Sequence, residues 1–344
     1  MRLWTLAALQ AAVTLSWMAY GYFQPRLLEH FGFTALAGIL AWYLAFAGST
    51  LAPLAGDASD RLVRSGGDRF PVVRAGVALA AASFVAVAVT SRAEGGSALR
   101  FLLPLFVAIW IAGMTLFQAP ALAIVRDEAA PGALPSAMAP LVIATTLPSA
   151  LWPLLEPLLA KAGGSLTFLA GGVAVTGTAL ALGRTARLPP RASHRDAPAG
   201  GGLALAFACG LVSALVAIVS TDLVPSALSA AGGVGTPSLA AIVAFASTLG
   251  ASTMGRVGSG IGSGRGLVAG LVASGVCRVV APWCGGLVPG VAVAVVAGAA
   301  LALHLTTALP FTLSAQPEER AGLGTGLYVG GAMVGTQLAR VLFR

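Results

Sequence analysis

Few side chains in this sequence can do chemistry, and many of them are gathered in one place. The stretch GDASDRLVRSGGDRFPVV, from Gly56 to Val73, sets Asp57, Asp60, Arg61, Arg64, Asp68 and Arg69 among three glycines and a proline, with long apolar blocks on both sides. Carboxylates and guanidinium groups so placed form short charge-assisted hydrogen bonds with one another or with neighbouring helix ends. The other candidates are single polar groups inside apolar runs: Gln10, Thr14, Ser16, Trp17 and Tyr20; Thr115 and Gln118; Ser213, Ser220 and Asp222; His304, Thr306 and Thr307. Polar groups at membrane depth are costly, which makes them candidate ligand contacts. Serine and threonine are the weaker signals, since their hydroxyls can bond to carbonyls of their own helix. Trp17 and Tyr20 can stack on a flat ligand, and Tyr20 with Tyr22 can equally form an interfacial aromatic belt. His304 is the titratable group nearest mid-depth, and an ordinary pKa of about 6.5 suits either a proton switch or a neutral buried imidazole.

No enzyme chemistry is assembled from these residues. The sequence offers no Ser-His-Asp set, no paired loop carboxylates, no P-loop and no metal-ligand spacing of His and Cys, so neither a catalytic role nor a cofactor or metal is expected. Cys209, Cys277 and Cys284 lie in or beside apolar stretches and read as buried free thiols. Glu29, Glu94, Glu156 and Asp222 fall near one set of segment ends and the other eight carboxylates near the opposite set, leaving none at mid-depth.

The elements that must position these groups are membrane spans. Of 344 residues 57% are hydrophobic and only 9% charged, and the 44 glycines and 20 prolines sit largely within apolar runs. Small residues there allow close helix packing. The chain reads as an all-α polytopic membrane protein with about eleven spans: 3–24, 33–55, 70–91, 100–124, 136–159, 164–183, 203–224, 236–255, 266–283, 287–312 and 321–341. Residues 1–184 form a six-span bundle and residues 203–344 a bundle of about five, so that a twelfth span is missing from an even arrangement. The linker 185–202, TARLPPRASHRDAPAGGG, divides them. Placing the N-terminus inside puts thirteen of the 20 basic residues at the cytoplasmic ends and seven at the other, which favours that orientation and a cytoplasmic linker. The net charge of +8 therefore reads as a topology signal, and nucleic acid is not an expected partner.

The halves also echo one another. At an offset of 190, QAPALAIVRDEAAPGA lies over ALPFTLSAQPEERAGL, aligning Pro120 with Pro310 and Gly132 with Gly322. Arg61 and Arg256, offset by 195, each follow the second span of their half. A parallel repeat of this kind is a transporter architecture.

Gly56, Asp60 and Arg61 match the pattern Gly-x-x-x-Asp-Arg that marks the loop after the second span of the major facilitator superfamily. With Ser59, Arg64, Gly67, Arg69 and Pro71 the stretch resembles the longer Ser-Asp-Arg variant of the sugar–cation symporter branches. The resemblance implies a two-bundle fold and a secondary transporter in a bacterial inner membrane that moves a small solute, such as a sugar, by alternating access. Its partners would be that solute, protons as a coupling ion, and the lipid bilayer around a monomer. It implies a gating loop at Gly56, Asp60, Arg61, Arg64 and Arg69, with Asp60 near Ala321 to Gly324 at the start of the last span when the cytoplasmic side is closed. It also places the solute cavity along the first and fourth spans of each half, making Gln10, Trp17, Tyr20, Gln118, Asp222, His304 and Thr307 its candidate lining. The second-half counterpart, STMGRVGSGIGSGRG, keeps Gly255, Arg256, Gly258 and Arg265 but has no Asp. A drug or metabolite exporter, and a non-transporting relative acting as sensor or assembly factor, are the alternatives.

Overall fold

A computed structural model describes residues 2–92, 98–130, 132–185, 202–232 and 234–343. The linker 185–202 lies outside the described residues except at its two edges, as does Glu94. The described chain is helical: α1 (Arg2–His30), α2 (Leu36–Arg64), α3 (Phe70–Thr90), α4 (Leu103–Glu128), α5 (Leu134–Ala150), α6 (Trp152–Thr185), α7 (Gly202–Ile218), α8 (Val224–Ala231), α9 (Thr236–Ile261), α10 (Ser263–Val280), α11 (Leu287–Ser314) and α12 (Ala321–Leu342). Eight helical segments are each long and apolar enough to cross a membrane.

Helix covers each of the eleven expected spans, with two of them divided differently. The fifth breaks at Leu151, between Pro148 and Pro153, and resumes as the first turns of α6. Proline lacks the amide donor of a continuous helix, and its ring crowds the preceding turn. Gly163 at φ 76° then separates this segment from the sixth span within α6, a backbone region glycine enters freely. The seventh span is α7, a π-helical turn at Val219–Leu223, and α8.

Polar contacts tie alternate helix ends into one basic end of the bundle. Arg2 donates to the Thr185 carbonyl and to Glu128 Oε1 at 2.6 Å, joining the start of α1 to the ends of α6 and α4. Gln316 Nε2 donates to the Gly202 carbonyl at 3.0 Å, joining the end of α11 to the start of α7. The first half is packed around Phe84, Trp110, Ile111, Met114 and Phe117, and a separate core of the second half is built on Val224, Leu239, Val243 and Leu301. Leu309, Leu313, Ala321 and Val329 extend the first core across to α11 and α12.

Between the halves, α2 lies against α12 with backbone almost touching backbone. A methyl group at Gly56 would collide with the Gly322 carbonyl, and one at Gly330 would approach the Gly48 carbonyl to 2.7 Å. Glycine at these positions lets the helices come this close, and their polar backbone edges can then meet.

Candidate functional site

The Ser-Asp-Arg stretch is not a loop. Helix α2 continues through Gly56, Asp60 and Arg61 to Arg64, and only Ser65 to Arg69 connect it to α3. The charges end the apolar run but not the helix, because the last turns of α2 carry i,i+4 partners such as Asp57 and Arg61.

At the inner face of this extension lies a buried charge cluster. Asp60 is 1% exposed and Arg69 4%. Arg69 Nη1 donates to Asp60 Oδ1 at 2.5 Å and to Ser59 Oγ at 3.0 Å, while its Nε donates to Asp127 Oδ2 at 3.3 Å on α4. The Asp60 carboxylate also accepts from two backbone amides of α12, Gly322 at 2.9 Å and Leu323 at 2.8 Å. The first turn of a helix has amides without intrahelical partners and the positive end of the dipole, so a carboxylate is the group best suited to it. The expected approach of Asp60 to the start of the last span is therefore present. Burial, charge and two amide donors act together at this one carboxylate.

A second bridge between the halves was not legible in the sequence. Arg126, at the end of α4, donates to the carbonyls of Leu313 at 2.7 Å, Gln316 at 3.1 Å and Pro317 at 3.4 Å. These carbonyls lie at the end of α11 and in the turn that follows it, where a cation is favoured. The repeat offset of 190 does pair Arg126 with Gln316. Residues related by a two-fold repeat meet where they lie beside its axis, and that was the available signal. Arg64 adds a bond from Nη1 to the Glu319 carbonyl at 2.9 Å. Arg61, by contrast, pairs with Asp57 at 2.5 Å while 73% exposed, an arrangement that contributes little.

No protein-family model matches the sequence, and no curated protein matches it. Solved structures do. Along 99% of this chain and 91% of its own, the major facilitator superfamily transporter FucP in the outward conformation superposes with a TM-score of 0.68 at 14% identity. A bacterial homologue of the iron transporter ferroportin, in the outward-facing state, superposes with a TM-score of 0.73 at 15% identity over 100% of this chain and 93% of its own. The chain has the major facilitator fold.

Within that fold the remaining candidates separate into two groups. Gln10, Thr14, Trp17 and Gly21 fall on one face of α1, and none of them is buried. The other open face of α1 carries Trp4, Ala8, Ala11, Leu15 and Met18 and is apolar. Trp17 is held by an aromatic cluster that sequence reading only half identified. Its ring stands 4.7 Å from that of Trp110 and 5.7 Å from that of Tyr20, and Tyr20 stacks on Trp110 at 4.9 Å with 22° between planes. Trp110 is buried, and Phe84 closes its far side at 5.5 Å. The half-buried Gln118 encloses its Oε1 without a hydrogen-bond partner among the described residues. Asp222 is exposed on the π turn and accepts from Thr221 Oγ1 at 3.3 Å. Arg340 of α12 is near enough to act electrostatically on both Asp222 and Tyr20.

His304 and Thr307 are enclosed in the second bundle. Both are 0% exposed and offer no surface to a ligand in this conformation. Thr307 Oγ1 bonds to the carbonyls of Leu303 and His304, and its methyl packs against Gly258 and Gly266. His304 Nε2 lies 3.0 Å from Ser213 Oγ, which also donates to the Cys209 carbonyl at 2.7 Å. The backbone of His304 is pressed against Gly270 of α10, which holds the residue inside the second bundle.

Proposed function

We propose that this protein is a secondary transporter that moves a small polar solute by alternating access, with the basic end on the cytoplasmic side. The observation that carries the reading is the seam at that end, where Asp60 and Arg126 of one half hold helix termini of the other. Every one of these bonds ends on a backbone group at or just beyond a helix terminus. The halves can part without unfolding any helix, and water can replace each bond. Such contacts belong to one conformation of a two-state rocking motion and bias its equilibrium. The two neighbours named above, a transporter and a homologue of one, are in outward states, which agrees with closure at a cytoplasmic basic end.

The polar face of α1 supports a neutral ring-shaped solute such as a sugar. Gln10 and Thr14 offer hydrogen-bonding groups one and two turns from Trp17, whose ring is fixed by Trp110 and Tyr20. A rigid aromatic surface binds a flat apolar face at little entropic cost. A solute found in a thermal-shift panel will stabilise the parent protein by mass action. The Trp17→Ala variant should then bind it with a loss of about 1 kcal/mol, roughly fivefold in affinity, while Trp17→Phe keeps most of the shift. An unchanged shift in Trp17→Ala would place the solute elsewhere.

The orientation has its own test. Reporter fusions at Pro198 and after Arg344 should report opposite sides of the membrane, with Pro198 inside. The same side for both would remove one span from the count.

A further inference from the structure

The basic ends of the two halves differ in how their charge is balanced. Between Asp222 and Glu318 the sequence has no Asp or Glu, yet it holds Arg256 and Arg265. At the offset of 195 that sets Arg61 over Arg256, the carboxylates Asp57, Asp60 and Asp68 fall on Ser252, Gly255 and Ser263. The arginine has a counterpart in the second half, and its counter-charges have none.

The consequence is visible in the pairing. Arg2 meets Glu128, Arg61 meets Asp57, and Arg69 meets Asp60 and Asp127. Arg256 and Arg265 are exposed and take part in no ion pair among the described residues. Both flank one tight turn. Helix α9 ends at Ile261, Gly262 reverses the chain at φ 89°, and α10 begins at Ser263, a backbone region that glycine enters freely. Arg265 stands on the first turn of α10, and Arg256 is about 8 Å of helix from the end of α9. Methyl groups at Gly260 and Gly262 would meet nothing within 4 Å, so the turn is open to a ligand.

Apolar side chains accompany the charges. Val257 and Ile261 of α9 and Val268 and Leu271 of α10 are all exposed. Guanidinium forks match the oxygens of a phosphate, and the start of α10 adds the positive end of its dipole. A free anion would use the arginines and leave the apolar neighbours uncovered. A phospholipid uses both, with its phosphate at the membrane surface and its chains below it.

We propose that the α9–α10 turn binds an anionic phospholipid of the leaflet at the basic end. Arg256 and Arg265 hold its phosphodiester, and its acyl chains lie along Val257 and Val268. The site is independent of the transport reading, since it needs only that this end of the bundle lies at a bilayer surface. Each arginine near such a surface contributes roughly fivefold to the affinity for anionic lipid, and the two together roughly thirtyfold.

The test follows the melting temperature of the full chain in neutral detergent micelles as phosphatidylglycerol, phosphatidylcholine or inorganic phosphate is added, a bound ligand stabilising by mass action. Phosphatidylglycerol should raise the melting temperature of the parent. The mole fraction giving half the maximal shift should rise roughly thirtyfold in the Arg256→Gln, Arg265→Gln double variant. The corresponding double lysine variant, which keeps both charges, should restore most of the response. Arg278→Gln, in the last turn of α10 at its other end, should respond as the parent does. Equal responses of the parent and the double glutamine variant would overturn the site, as would an equal shift with phosphatidylcholine. A shift reproduced by inorganic phosphate alone would replace the lipid by a free anion and overturn the proposal as well.

Discussion

Replacing Asp60 by Asn should leave the protein inserted and folded while shifting it strongly toward a conformation open at the basic end. The side chain keeps its volume but loses its charge, its ion pair with Arg69, and at least one of the two amide bonds from α12. Surface contacts of this type are worth about 1 kcal/mol. Asp60 is buried, however, and the variant leaves Arg69 with only its longer contact to Asp127 at 3.3 Å, so the loss exceeds that of a surface contact and moves toward the roughly 3–5 kcal/mol of a broken buried pair. Opening the seam relieves that cost by giving Arg69 access to water, so the closed state bears it and the open state does not. The expected shift is on the order of a hundredfold or more. A bifunctional maleimide joining cysteines at positions 64 and 319 should react readily in the parent and poorly in Asp60→Asn. Equal yields would make Asp60 a structural charge that does not set the opening of the seam.

Arg126 should have the second largest effect, in the same direction. Its guanidinium reaches three carbonyls at the end of α11, and no other side chain at that position reproduces a planar fork of donors. Arg126→Gln removes the charge and most of the bonds, each charge-assisted bond being worth about 1.5–3 kcal/mol. Arg126→Lys keeps the charge with fewer simultaneous contacts and should fall between Gln and the parent. Accessibility of a cysteine at Ser314 to a membrane-impermeant maleimide, measured in inside-out vesicles, should rise in the order parent, Lys, Gln. Identical rates for all three would make Arg126 a topology signal only.

The sequence revealed the spans because length and hydropathy are properties of a segment by itself. It also revealed Asp60, because a carboxylate amid arginines and glycines at the edge of a span is a local pattern. What escaped it depends on two segments at once. Charges after Gly56 ended the apolar run and suggested a loop, but a helix projecting into water needs no apolar residues and α2 runs on to Arg64. Arg126 finds backbone carbonyls rather than a side-chain partner, so only the repeat offset that sets it against Gln316 could announce it. His304 and Thr307 were placed on their helix by sequence, but their burial in this conformation was not legible. Both neighbouring helices and any cavity offer interior faces, and periodicity does not distinguish them. Trp17 was found by type, whereas Trp110, which fixes its ring, looked like one more apolar residue until α1 and α4 were placed side by side.

If solute crosses because the basic-end seam opens, holding that seam shut must stop transport. Protein carrying cysteines at Arg64 and Glu319 would be reconstituted into proteoliposomes and joined by a bifunctional reagent that a reductant can cleave. Uptake of a solute chosen from a binding panel should proceed before joining, stop when the seam is held shut, and return on reduction. No flux for any bound solute, or flux that continues at the same rate with the seam joined, would contradict the account.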